Sequence, residues 1–263
     1  MSPHTVHTLI SIVFLAILIG VPYIGGPILI KNKQTIARHP AQNRFDPATL
    51  DPQVAPFFYH AVQALVTCGF TVIDYVTKPN ETQNVTPCVV YLVNRANGDM
   101  ASIACFFVNI NGEVKIQNNS IFFTTDYANG EVVSSCILPP NSAGSCYKYR
   151  PYVHSWRSFD DVDAPELYKR HRFLIQKYAP QSPVVAPETG REMEAFDRSN
   201  VDVHAYQVKK GLMWVDTARD VYAPTWFGAF YMTWALLWPC KQLRLAHSQM
   251  KARRELADYR RAI

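Results

Sequence analysis

The sequence predicts an α+β protein: an antiparallel β-meander of five or six strands packed with two helices, with an N-terminal transmembrane helix and a C-terminal aromatic membrane helix. Three observations lead there. The run from Thr8 to Ile30 holds 23 residues without a charge. Asn-Gly pairs at 97–98, 111–112 and 129–130 punctuate β-rich stretches. A second uncharged run of 20 residues, Val221 to Cys240, is dense in aromatics and leads into a basic tail.

Composition bounds the alternatives. With 263 residues, 48% hydrophobic and 18% charged, and a net charge of +5, the chain fits one or two domains and excludes disordered, collagen-like and disulfide-dense classes. A mean hydropathy of −0.08 is too low for a polytopic transporter, and the apolar residues gather at the two ends.

The first run, at a rise of about 1.5 Å per residue, is long enough for a hydrocarbon core of ~30 Å. It is too long for a signal-peptide core, has no Lys or Arg before it and no small-residue cleavage site after it. Pro22 and Gly25-Gly26-Pro27 are expected to bend or end the helix early. Only His4 and His7 precede it, whereas Lys31, Lys33, Arg38 and Arg44 follow, so the positive-inside rule places the bulk of the chain in the cytoplasm.

The core elements follow in order. Asp51-Pro52 is an N-cap followed by proline, and Phe58, Val62, Leu65 and Val66 recur with helical spacing until Gly69. From Phe70 the period becomes two, with Phe70, Val72, Asp74 and Val76 on one face. After the polar loop Lys78 to Thr86, Cys88 to Val93 reads as a buried strand, and the Asn-Gly turns carry the meander on to Ile137. A second helix starts at Asp163, with Glu166 at capping-box spacing, and runs through Leu167, Leu174, Ile175 and Tyr178. The expected organisation is therefore a transmembrane anchor over 1–31, an α+β core over 45–179, a Pro-rich linker and connecting segment over 180–220, and an aromatic membrane-associated helix with its basic tail over 221–263.

In the last region Pro224 and Pro239 leave a clean helix of about 13 residues, roughly 20 Å, which is short for a bilayer. Trp226, Phe230, Trp234, Leu237 and Trp238 form one bulky stripe, while Gly228, Ala229, Thr233 and Ala235 make the opposite face small. Seven cations follow, Lys241, Arg244, Lys251, Arg253, Arg254, Arg260 and Arg261, against Glu255 and Asp258. An interfacial or re-entrant helix and a second span that closes a hairpin both fit. In either case Trp226, Phe230, Trp234, Trp238, Lys241 and Arg244 are the candidate contacts to membrane or partner. Gly20, Gly25 and Gly26 are the candidate helix-docking positions.

Candidate chemistry is sparse. The cysteines, Cys68, Cys88, Cys105, Cys136, Cys146 and Cys240, have no metal-site spacing, and reduced thiols suit the cytoplasmic topology; Cys136 and Cys146 would close a loop if the core were extracytoplasmic. Sequons at Asn80, Asn84 and Asn118 exceed what chance supplies and point only weakly to a glycosylated ectodomain. His154 and His171 flank the acidic run Asp160, Asp161, Asp163 and Glu166, but their spacing fits no ligand pattern. Tyr147, Lys148, Tyr149, Arg150, Tyr152, Trp156 and Arg157 read either as a loop packed on the sheet or as a partner-binding or phosphate-facing strip. Phosphate-loop, dinucleotide, nucleophile-elbow and zinc-protease motifs are lacking. No catalytic residue, cofactor or metal site is therefore assigned, and without a stacking platform the basic tail does not indicate nucleic acid.

Two stretches resemble uncharacterised bacterial membrane-anchored proteins of the planctomycete kind. They are Phe122-Phe123-Thr124-Thr125-Asp126-Tyr127-Ala128-Asn129-Gly130 with Leu167-Tyr168-Lys169-Arg170-His171, and Tyr222 to Phe230 running into Thr233-Trp234-Ala235-Leu236-Leu237-Trp238-Pro239. The resemblance implies an inner-membrane protein without an assigned activity. The expected function is a non-enzymatic accessory or assembly subunit of a respiratory or photosynthetic complex, whose partners are lipids and integral membrane subunits. The alternative is a free-standing membrane-surface domain that binds a ligand or acts as an enzyme of unrecognised type.

Overall fold

The structure, a computed structural model, describes residues 3–78, 86–110, 113–139, 145–178 and 181–263. Helix α1 (Pro3–Gly20) runs through a π-helical turn (Val21–Gly25) into α2 (Gly26–Lys33), followed by β1 (Ile36–Ala37), β2 (Asn43–Arg44) and α3 (Ala55–Thr67). Strands β3 (Thr71–Thr77), β4 (Thr86–Asn94), β5 (Asp99–Ile110), β6 (Glu113–Asp126), β7 (Val132–Ile137) and β8 (Val153–Ser158) lead to α4 (Ala164–Tyr178). The chain closes with α5 (Glu192–Lys209), β9 (Met213–Asp216), β10 (Val221–Pro224), α6 (Trp226–Leu236) and α7 (Cys240–Ala262). Two compact units divide it: unit 1 comprises 1–38, 143–148 and 203–246, and unit 2 comprises 39–142, 149–202 and 247–263.

Unit 2 is built on a seven-stranded sheet in the order β2-β3-β4-β5-β6-β7-β8. β4 is buried on both faces, which its run Cys-Val-Val-Tyr-Leu-Val requires. Opposite it in β5, Cys88 faces Cys105 and Val90 faces Ile103. One face of the sheet buries Val90, Leu92, Ile103 and Phe123 against Phe58 and Leu65 of α3 and Leu167 of α4. The other buries Val89, Tyr91 and Met100 with Phe196 of α5, whose ring centroid lies 4.3 Å from that of Tyr91. The last turns of α7 add Leu256 and Tyr259 to a third cluster with Trp156, Phe173 and Leu174. Gly98 and Gly130 sit at φ of +72° and +83°, the positive region that Asn-Gly turns demand. The Asn111-Gly112 pair lies outside the described residues, between the ends of β5 and β6.

Unit 1 holds a three-stranded antiparallel sheet, β1-β10-β9, with α2 packed on α6. Thr225 caps α6, its Oγ1 accepting from the Gly228 amide at 2.9 Å. A β-carbon at Gly228 would lie 1.7 Å from the Leu212 carbonyl oxygen, so only glycine lets this first turn approach the backbone that leads into β9.

Several expectations are corrected. Among the described residues no helix is long and apolar enough to cross a membrane, which removes the N-terminal transmembrane helix from the fold and the reading of the C-terminal aromatic helix as a second span. The Thr8 to Ile30 run is divided, because α1 stops at Gly20, Pro22 lies in the π-helical turn, and α2 packs on α6 and ends in Lys31 and Lys33. The uncharged run at the other end is also shared out: β10 takes its first four residues and α6 only 11. The sheet of unit 2 exceeds the expected meander, since β8 joins β7 in parallel, as the 15-residue connection from Ile137 to Val153 permits. Two helices beside the sheet and one at each end of the chain are expected, whereas seven α-helices occur among the described residues. The segment 180–220 carries α5 and β9, the prolines occupying only its first third.

Candidate functional site

The densest polar chemistry lies inside unit 2, beneath α4. Helical spacing puts Leu167, Tyr168, His171 and Leu174 on the core face of α4, all of them buried, so two polar rings enter the interior with two leucines. There they meet Asp99, the first residue of β5, which is fully buried. Its carboxylate accepts from Thr125 Oγ1 at 2.6 Å, from the Tyr168 hydroxyl at 2.7 Å and from Arg172 Nη1 at 3.0 Å. The Tyr168 hydroxyl in turn accepts from the side-chain amides of Asn97 at 3.1 Å and Asn94 at 3.3 Å.

Proton positions in this network follow from its donors. Thr125 gives its only hydroxyl proton to Asp99, so at 2.9 Å it accepts from His171 Nε2–H. His171 Nδ1 is then bare and accepts from Ser135 Oγ at 3.1 Å. The ring is neutral: burial pulls its pKa down to about 4, a pull the Asp99 charge only partly opposes. Burial, and then the Asp99 carboxylate, push the Tyr168 hydroxyl above its ordinary value. A Ser-His-Thr-Asp series invites comparison with a nucleophile relay, but Ser135 is 1% exposed and His171 0%. A substrate cannot reach either, and the network pins α4 to β5, β6 and β7 instead.

His154 lies apart from this network, stacked on Tyr178 at 4.3 Å and 3.7 Å from Glu131. Asp163 and Glu166 work as a cap, the Glu166 amide donating to Asp163 Oδ1 at 2.8 Å. Among the described residues no group of three or more His, Cys, Asp or Glu could hold a metal ion. The six cysteines are free, with Cys136 in unit 2 and Cys146 in unit 1. Asn80 and Asn84 lie outside the described residues, while the Asn118 side chain donates to Ser120 within β6. Unit 2 also carries a pocket of about 230 Å³ bounded by Trp156, Phe159, Asp160 and the α7 residues Gln249, Arg253 and Leu256.

The aromatic stripe expected on the last uncharged run is on the surface. Trp226, Trp234 and Trp238 are 53%, 47% and 70% exposed, and Phe230 is half-buried against Trp234, with ring centroids 5.6 Å apart. The small face, Gly228, Ala229, Thr233 and Ala235, is buried. Lys241 and Arg244 are half-buried, and Arg244 Nη2 donates to the Ser145 carbonyl at 2.6 Å. Gly26 lies against Thr233 of α6, so its docking is internal to unit 1; a β-carbon added at Gly20 would meet no packed neighbour within 4 Å, and one at Gly25 only the Val21 side chain.

Sequence reasoning missed Asp99, Thr125 and Ser135. A signal for their partners existed, since Tyr168 and His171 fall on the predicted apolar face of the second helix, where a polar ring needs an internal hydrogen-bonding partner. The tail was misread in part: Glu255 is buried, accepting from Lys177 at 2.8 Å and Tyr178 at 2.9 Å, so the end of α7 docks through its few carboxylates.

Fold and site define an α+β protein with a closed polar core in one unit and an uncovered aromatic surface on the other. No protein-family model, curated protein or solved structure matches the chain.

Proposed function

We propose that this chain is a non-enzymatic accessory subunit of a larger assembly at the bacterial inner membrane, attached through unit 1. The observation that carries the reading is an uncovered apolar surface. Ile10, Phe14, Ile17, Val21, Ile24 and Ile28 recur at alternating steps of four and three residues, and each is 45–63% exposed. Contiguous apolar surface on a folded unit is a contact surface. The closed network of unit 2 adds support, because its titratable groups serve one another rather than a substrate.

Gentle detergent extraction followed by native electrophoresis tests the reading. The protein is expected to migrate with an assembly several times its own mass, and Val21→Asp with Ile24→Asp, both on exposed positions, should release it. Migration as a free chain in both forms overturns the proposal.

A further inference from the structure

The two units differ sharply in charge. Unit 1 contains nine Lys and Arg against two carboxylates, whereas unit 2 contains seventeen against nineteen. Both carboxylates of unit 1 are already paired, Asp216 with Arg219 at 2.7 Å and Asp220 with Arg38 at 3.1 Å. The excess positive charge rests on residues such as Lys31, Lys33, Lys209, Lys210, Lys241 and Arg244.

The tryptophans divide the same way. Four of the five, Trp214, Trp226, Trp234 and Trp238, belong to unit 1 and are 43–70% exposed, while Trp156 of unit 2 is 2% exposed. Trp is an expensive residue to leave in water, and its amphipathic ring is at home at the boundary between lipid headgroups and acyl chains. Lys31 Nζ stands 6.0 Å over the Trp214 ring, which sets a cation beside an exposed indole. Phe227 and Leu236, 65% and 45% exposed, extend the apolar part of α6.

We infer that unit 1 seats in the headgroup layer of an anionic bilayer, with the exposed indoles at the acyl boundary and the surrounding lysines and arginines on lipid phosphates. This rests on the reading of unit 1 as the attachment surface and names lipid as what covers it. Charge complementarity selects the occupant: a second copy would bring the same positive charge against its own. RNA would satisfy the cations and stack on the indoles, but it gives no cover to the aliphatic positions Ile10, Ile17, Ile24 and Ile28.

The test uses the full chain and vesicles of phosphatidylcholine, alone or mixed with phosphatidylglycerol. Binding is expected to be at least about tenfold tighter to the anionic vesicles at low salt and to weaken with added salt. Indole emission should shift to the blue and be quenched by lipids brominated near the headgroup. Lys209→Gln with Lys210→Gln, both exposed, should weaken anionic binding roughly thirtyfold, and Trp226→Ser with Phe227→Ser should remove the emission shift. Equal binding to both vesicles, an unshifted emission, a dimer whose indoles are shielded without lipid, or displacement of vesicles by RNA each overturns the inference. If the chain migrates with a large assembly yet ignores lipid charge, the inference fails and the accessory reading stands. Anionic binding without any assembly gives the reverse.

Discussion

A β-carbon placed on Gly26 would stand 2.6 Å from the Thr233 Cγ2 methyl, closer than carbon atoms approach in folded proteins. Helix α2 and helix α6 are held together at this contact, and Thr233 has little room to yield, being 5% exposed with its Oγ1 bonded to the Ala229 carbonyl at 2.8 Å. Gly26→Ala should therefore destabilise unit 1 by roughly 1–3 kcal/mol. Gly20→Ala, in open space, should be neutral or stabilising by up to about 1 kcal/mol. Thermal unfolding of the two variants checks the contrast, and Thr233→Ala should restore part of the loss in the Gly26→Ala background.

The buried imidazole makes stability depend on pH in a defined direction. His171 in the fold has its pKa drawn down to about 4 from an ordinary 6.5, so the unfolded chain binds the extra proton between these values. Its contribution is complete above pH 6.5 and is lost as pH falls toward 4, at about 1.4 kcal/mol per pH unit. Urea unfolding across that window should show the slope, and the His171 ring resonances should not titrate near pH 6 in the folded protein. An imidazole that titrates near 6.5 would mean that the network is open to water.

Gly130 occupies the turn between β6 and β7 at φ of +83°, with its amide bonded to the Tyr127 carbonyl at 2.9 Å. No atom lies within 4 Å of a β-carbon there, so the cost of a side chain is backbone strain alone. Gly130→Val should lower stability by roughly 1–3 kcal/mol, and Gly130→Asn by less, because asparagine tolerates positive φ. An unchanged melting temperature for the valine variant would show that the turn rearranges freely.

The thiols should react in an order set by burial. Cys88 and Cys136 are pushed up to about 11 by desolvation, and Cys105 to about 12 by desolvation and by Cys88 across the strand pair. Cys240 is exposed. A maleimide at about pH 7.5 should label Cys240 promptly and leave Cys88, Cys105 and Cys136 unmodified until urea unfolds the chain. Prompt labelling of Cys105 would contradict the β4–β5 register.

Much of this protein was legible in the sequence wherever the cause is local. The Asp163 cap, the positive-φ turns at Gly98 and Gly130, the helix over Phe58, Val62 and Leu65, and the small and bulky faces of α6 all follow from spacing within one or two turns of chain. Local pattern also misled, since an uncharged run reads alike whether it forms one long helix or a helix, a π-helical turn and a short packed helix.

Only tertiary structure decided the rest. Asp99, Thr125, Ser135 and His171 are brought together by strand register and by the face of α4 that turns inward, and each alone looks like an ordinary polar residue. The parallel arrival of β8 beside β7, the burial of Glu255 against Lys177 and the contact of Gly26 with Thr233 join residues from distant parts of the chain. Periodicity records which face of an element is apolar, because that preference lies in the side chains themselves. It carries no record of which distant face will cover it, because burial free energy is non-directional and depends on apolar area rather than on the identity of the covering residues.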